Sequence, residues 1–218
     1  MLTRLHHRLH WRGPGRDLTI DGWVSRLYDR LWAGWLLRGF YRRVAHEAGA
    51  LVPPGGTVLD VGTGPGMFLV ELAHRRGDLR ITGVDLSSDM VAIAERNVRD
   101  AGQSDRVEVR LADVASLPFA DASFDLVVAT FSAHHWGALA PAVGELTRVL
   151  RPGGELWIYD VRTLPDDVLA AAVAEALGDQ PLQRRPPRGS RVPWPLYARW
   201  TATRPALAAT ATITDAGS

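Results

Sequence analysis

The sequence predicts an α/β fold, a mostly parallel sheet with helices on both faces. Three observations predict it. Strand-like and helix-like segments alternate from residue 57 to residue 177. A glycine-rich turn follows the first strand and opens a helix. Acidic residues stand at the ends of three successive strands, on the carboxyl edge where open α/β sheets bind ligands.

Each element has a local reason. Residues 57–61 are a short β-rich strand and 67–76 a helix, with 80–85 the next strand. Ser87 is placed to N-cap a helix through Asp100, with Asp89 in the first turn favouring the dipole. Residues 106–111 alternate like a strand, and Phe124–Thr130 (FDLVVAT) is apolar on both faces, as in a buried strand. A helix over 139–150 is expected to stop at Arg151-Pro152-Gly153-Gly154, before a fifth strand over 155–161. An Ala-rich helix covers 166–177. Residues 181–188 and 196–204 read as two strands, antiparallel because their connection is short.

Composition narrows the function. The 218 residues suit one domain, and 46% hydrophobic with 22% charged residues is ordinary for a globular protein. With no Cys, disulfides, thiolate metal sites and Cys nucleophiles are excluded. All 25 basic residues are Arg, which removes Schiff-base chemistry and the phosphate-binding Lys of a P-loop. The net charge of +1 disfavours a nucleic-acid partner. Arg184, Arg185, Arg188 and Arg191 make a basic stretch that reads as a solvated hairpin. No apolar stretch approaches the roughly 20 residues needed to span a bilayer, and no secretory h-region opens the chain. Cytoplasmic residence and a monomer or homodimer are the expectations.

Residues 1–50 are expected to form an N-terminal arm and an aromatic helical lid, 51–205 the main domain and 206–218 a tail. Arg4, Arg8, Arg12 and Arg16 recur every fourth residue, a pattern of either a frayed terminus or a basic arm touching a membrane surface. Trp23, Leu27, Leu31 and Trp35 share one helix face, either packed on the core or lying over an apolar pocket.

The chemistry concentrates in Val58-Leu59-Asp60-Val61-Gly62-Thr63-Gly64-Pro65-Gly66. Glycines let the backbone turn sharply and approach a ligand closely. A dinucleotide fingerprint needs Gly where this chain has Met67, and Asp60 would repel a pyrophosphate but suit an ammonium-bearing ligand. Asp85 ends the second strand, 19 residues after Gly66, where a carboxylate accepts from ribose hydroxyls. Asp113, after the third strand, is placed to accept from an adenine amine. Phe131-Ser132-Ala133-His134-His135-Trp136 follows the fourth strand. His134 or His135 is the candidate general base, against the alternative that both pack or cap the next helix. As a metal pair they are disfavoured, because adjacent residues rarely converge on one ion.

VLDVGTGPG, GVDLS, LADVASLPFADASFDLVVAT and LRPGGELWIYD together resemble the class I S-adenosylmethionine-dependent methyltransferases, over residues 57–161. The likeness is to small-molecule enzymes of the ubiquinone/menaquinone-biosynthesis type, and Tyr28-Asp29 is similar to a Tyr-Asp pair in that group. The resemblance implies a Rossmann-like, doubly wound, seven-stranded sheet with its last strand antiparallel, and S-adenosyl-L-methionine as cofactor. It implies that Asp60 and the Gly62, Thr63, Gly64 and Gly66 loop hold the methionine end. Asp85 would hold the ribose, with Leu86 and Met90 beside the adenine. Asp113 would bond the adenine amine, Val114 would pack on the ring, and Thr130 and Phe131 would line the pocket near the sulfonium.

Trp23, Tyr28, Trp32, Trp35 and Trp136 point to a small, flat or greasy methyl acceptor. Two other readings stay open: a protein that binds the cofactor without transferring its methyl group, and a nicotinamide-dependent oxidoreductase, against which Met67 and Asp60 count.

Overall fold

A computed structural model describes residues 35–161, 164–178, 180–185 and 197–206. The basic arm, Trp23, Tyr28, Trp32, Arg188, Arg191 and nearly all of the predicted tail lie outside the described residues.

The sheet has seven strands. In chain order they are β1 (Thr57–Val61), β2 (Arg80–Asp85), β3 (Val107–Leu111), β4 (Phe124–Thr130), β5 (Leu150–Val161), β6 (Gln183–Arg185) and β7 (Tyr197–Thr203). Their spatial order is β3-β2-β1-β4-β5-β7-β6. The first five pair in parallel, and β7 runs antiparallel between β5 and β6. The order reverses at β1, so a crevice opens beyond the carboxyl ends of β1 and β4, the switch point at which such sheets bind ligands.

Helices α1 (Trp35–Leu51), α2 (Met67–Arg75), α3 (Ser88–Asp100), α4 (Leu139–Val149) and α5 (Asp166–Leu177) flank the sheet. The strands sort their side chains by the two-residue period. Val58, Leu126, Val128, Trp157 and Tyr159 pack with Phe40 and Val44 of α1 and with Phe68, Leu69 and Leu72 of α2. Leu59, Val61, Val127, Ala129, Leu156 and Ile158 pack on the other face with Leu146 of α4 and Leu169 of α5. Burial on both faces is why β1 and β4 read as nearly unbroken apolar runs. The buried positions of α1 (Leu37, Phe40, Val44, Ala45 and Ala48) fall on one stripe, so this part of the predicted lid packs on the core. Phe40 is its anchor, with ring centroids 4.9 Å from Phe131, 5.5 Å from Tyr159 and 5.4 Å from Tyr197.

One boundary differs from expectation. Helix α4 ends at Val149 and β5 starts at Leu150, so Arg151-Pro152-Gly153-Gly154 lies inside the strand rather than before it. Gly153 takes φ 81°, and its N–H donates to Arg204 O at 2.8 Å, while Arg204 N donates to Gly154 O at 2.9 Å. The β4–β5 register shifts beside this stretch, between Phe124 and Leu126. Proline and glycine thus mark an irregularity in a paired strand, not a loop. Arg151 then ties the strand starts together, donating to Asp125 at 2.6 Å and to Thr57 Oγ1 at 3.1 Å.

Trp136 also differs. Expected in the acceptor site, it is buried in the core on the α4 side. Among the described residues, no helix is long and apolar enough to cross a membrane.

Candidate active site

The glycine loop is built by close approach. After β1, the N–H groups of Gly62 and Thr63 both donate to Val84 O at 2.9 Å, which folds the loop over the end of β2. Gly62 has φ 67°, and a Cβ there would lie 2.3 Å from Ser132 Cβ. Only glycine admits both the left-handed turn and the neighbour. Ser132 uses the space to donate its hydroxyl to Val61 O at 2.8 Å. Gly64 also has positive φ (52°), but nothing stands near its missing side chain. Gly66, at φ 75°, opens α2, and a Cβ there would sit 3.1 Å from Ala94 Cβ. Asn97 pins the loop from α3 by donating to Pro65 O at 2.9 Å.

Asp60 is fully buried beneath this loop. Its Oδ2 accepts from Thr63 Oγ1 at 2.6 Å, while its Oδ1 is buried without a partner. Burial pushes the carboxyl up to about 7, with the Thr63 hydroxyl opposing and the charge of Asp85 adding to the rise. Gly83 on β2 makes room for this arrangement, since a Cβ there would meet Leu69 Cδ1 at 2.6 Å and Thr63 Oγ1 at 3.0 Å.

Asp85 ends β2 with each oxygen on a backbone donor: Oδ2 accepts from Gly64 N at 2.8 Å and Oδ1 from Ser87 N at 2.9 Å. Burial raises its pKa, and those N–H donors oppose the rise. Ser87 caps α3 as expected, accepting from Met90 N at 3.4 Å. Leu86 is 67% exposed and forms an apolar rim, whereas Met90, in the first turn of α3, is buried. Asp113 is exposed, and its Oδ1 accepts from Ala115 N at 2.9 Å, closing a tight turn. Val114 packs partly against the core. The loop that follows is held by Arg148, which donates to Leu117 O at 3.1 Å, Phe119 O at 2.7 Å and Asp121 at 2.8 Å.

At the end of β4, Thr130 is buried and Phe131 takes φ 54°, a costly conformation for a residue with a side chain. The turn sends the Phe131 ring into the aromatic cluster of Phe40 and Tyr197. It also leads the chain into a 3-10 turn, Ala133–His135. There His134 is gripped twice by Asp160, the buried penultimate residue of β5. The backbone N–H of His134 donates to Oδ2 at 3.0 Å, and its Nδ1 lies 2.6 Å from Oδ1. His135 is exposed, its ring centroid 3.9 Å from that of His134. Partial burial and then His134 hold the His135 imidazole below its usual range, with Asp160 and Asp85 opposing.

Sequence reasoning missed Thr63 as the partner of Asp60, Gly83 as the gap that admits it, and Asp160 altogether. The signal for Asp160 was weak: an acid ending a strand that otherwise reads as core.

The arrangement fits S-adenosylmethionine. An unpaired buried carboxylate oxygen calls for a cationic donor, and a ligand ammonium supplies one. Two carboxylates, Asp60 and Asp85, flank a loop whose glycines leave the backbone open, and Leu86 offers an apolar face.

Comparison with known proteins agrees. Residues 59–158 match the family model described as a methyltransferase domain. The chain is 32% identical over 176 residues to the 27-O-demethylrifamycin SV methyltransferase of Amycolatopsis mediterranei, covering 75% of this chain and 62% of that protein. It is 37% identical over 160 residues to a phosphatidylethanolamine N-methyltransferase of Cereibacter sphaeroides, covering 71% of this chain and 75% of that protein. A SAM-dependent methyltransferase from Aquifex aeolicus shares the fold, with a TM-score of 0.66 at 23% identity over 83% of this chain and 98% of that one. The chain belongs to the class I S-adenosylmethionine-dependent methyltransferases. It spans about half the length of several curated relatives, from 44% to 62%.

Two outcomes follow from this geometry. Gly62→Ala is expected to cost more than about 3 kcal/mol, from strain plus collision with Ser132, whereas Gly64→Ala costs about 1 kcal/mol from strain alone. Urea unfolding of the two variants measures the difference, and equal costs would contradict the packing. Asp60 binds its proton more tightly folded, at about 7, than at its ordinary 3.8, so its contribution to stability falls as the pH rises between those values and is constant above them. Asp60→Asn removes this slope. Unfolding midpoints measured from pH 4 to pH 8 should therefore diverge in the variant's favour, and parallel profiles would refute the buried carboxyl.

Proposed function

We propose that this chain transfers a methyl group from S-adenosylmethionine to a small, apolar or aromatic acceptor. The observation that carries the reading is the buried, half-unsatisfied Asp60 carboxylate under the glycine loop, with Asp85 at the rim. The bound sulfonium supplies an already activated methyl group, so the protein needs only to bind, align and exclude water.

The residues divide this work along the sheet edge. Asp60 and the Gly62–Gly66 loop would hold the amino-acid end, whose ammonium suits the unpaired oxygen of Asp60. Asp85, at the end of β2, would hold the ribose hydroxyls. Leu86 bears on the adenine with Met90 beneath it, Asp113 accepts from the adenine amine, and Val114 packs on the ring. Thr130 and the backbone of Phe131 border the reacting centre, with His134 and His135 on its acceptor side. Two relatives carry acceptors in their names, a rifamycin methylated on oxygen and phosphatidylethanolamine methylated on nitrogen.

Titration calorimetry tests the cofactor assignment. S-adenosylmethionine and S-adenosylhomocysteine should bind with micromolar affinity and NAD should not. Asp85→Ala should weaken the first two at least about tenfold, or ~1.4 kcal/mol. A folded chain that binds neither would contradict the proposal.

A further inference from the structure

We propose that the cleft between the carboxyl-terminal half of α1 and the β5–β7 face of the sheet is a second ligand site, which takes a free α-amino acid. The inference goes beyond the methyl-transfer reading and does not rest on it.

Strand register builds the cleft. Glu155, Trp157 and Tyr159 alternate onto one face of β5 and pair with Thr203, Thr201 and Arg199 of β7. Helix α1 packs on the same face through Phe40, Val44 and Ala48. Beside it lies a cavity of about 500 Å³, whose lining includes Glu47, Glu155, Trp157, Gln180, Arg199 and Thr201. Glu155 pairs with Leu126, near the start of β4, so the cavity lies toward the amino edge of the sheet. The glycine loop and Asp85 stand at the carboxyl edge. The two sites are therefore separate.

One end of the cleft is rich in unpaired donors. The Arg199 guanidinium lies over the Trp157 ring, with Cζ 4.1 Å from the centroid, and 5.3 Å from the Tyr159 centroid. Its Nη1 donates to Glu47 at 2.5 Å, but its Nε–H is buried without a partner. Tyr159 is 3% exposed, and its hydroxyl is also buried without a partner, within electrostatic reach of Arg199 and Glu47. A guanidinium only donates, and burial keeps the phenol protonated, so both groups call for an oxygen acceptor. A carboxylate accepts from two donors at once and forms the stronger, charge-assisted bonds.

The other end suits a cation. Two carboxylates, Glu47 and Glu155, line the cleft with one guanidinium, and Glu47 is the one that Arg199 balances. Glu155 Oε2 accepts from a neutral donor, Trp157 Nε1, at 2.6 Å, a contact that leaves its charge uncompensated. An ammonium against Glu155 offsets that charge. The indole sets the spacing, since Arg199 lies on its face and Glu155 bonds its N–H. Anion-seeking and cation-seeking groups thus stand one indole apart, a span matched by the adjacent carboxylate and ammonium of an α-amino acid with a hydrogen bond at each. The rest of the cavity leaves room for a side chain.

Titration calorimetry of the full chain against the twenty free L-amino acids, with and without saturating S-adenosylhomocysteine, tests the site. At least one amino acid should bind one-to-one with Kd below about 1 mM, with equal affinity in both conditions. The corresponding amine without the carboxylate, and the acid without the ammonium, should each bind at least about tenfold more weakly. Glu155→Gln and Arg199→Lys should each weaken the amino acid at least about tenfold and leave S-adenosylhomocysteine within about twofold. The proposal is overturned if no amino acid binds, if the amine or acid alone binds as well, or if E155Q binds like the wild type. Competition by S-adenosylhomocysteine overturns it too, because the amino acid then occupies the cofactor's site. If R199K does not fold, E155Q decides. Failure of S-adenosylhomocysteine itself to bind counts against the methyl-transfer reading alone, and the E155Q comparison still decides this one.

Discussion

The contact between Gly62 and Ser132 holds the site together. A glycine in the left-handed region turns the chain out of β1, and its missing side chain is filled by the residue that follows Phe131. The Ser132 hydroxyl then bonds the last carbonyl of β1. This joins the glycine loop after β1 to the segment that carries His134 and His135. Neither half can shift far without opening a buried contact, so the loop after β1 and the turn after β4 are held on one rigid edge.

Around that contact the molecule places polar groups where an apolar core would be cheaper. Asp60 is buried with one oxygen unpaired, Asp85 is half-buried against backbone donors, and Asp160 is buried against an imidazole. Elsewhere on the sheet, buried positions are mostly aliphatic or aromatic. Three carboxylates stand at the carboxyl ends of β1, β2 and β5, the edge at which open α/β sheets bind ligands. Phe131 adds backbone strain at the same place, and its ring couples this edge to the anchor of α1.

Much of the fold was legible because local signals agreed. The G-x-G-x-G turn, the Ser87 cap and the two-sided apolar run of β4 each point to one conformation, and the structure has them there. Arg151-Pro152-Gly153-Gly154 misled because proline and glycine normally break elements. Pairing with Arg204, 50 residues on, keeps this stretch in the sheet, and no local pattern encodes that. The site was legible where residues stand in sequence beside the glycine turn. Asp160 was not, because its partner lies 26 residues away and only the 3-10 turn brings them together. Trp136 looked like a ligand-facing aromatic, but the same turn sends it into the core.

A crystal structure with S-adenosylhomocysteine tests the central claim most directly. The predicted result is a ligand amino group on the free oxygen of Asp60, ribose hydroxyls on Asp85 and an adenine against Leu86, with Ser132 unmoved over Gly62. A ligand bound elsewhere, or one that leaves Asp60 Oδ1 unpaired and Asp85 still on Gly64 and Ser87, would contradict it.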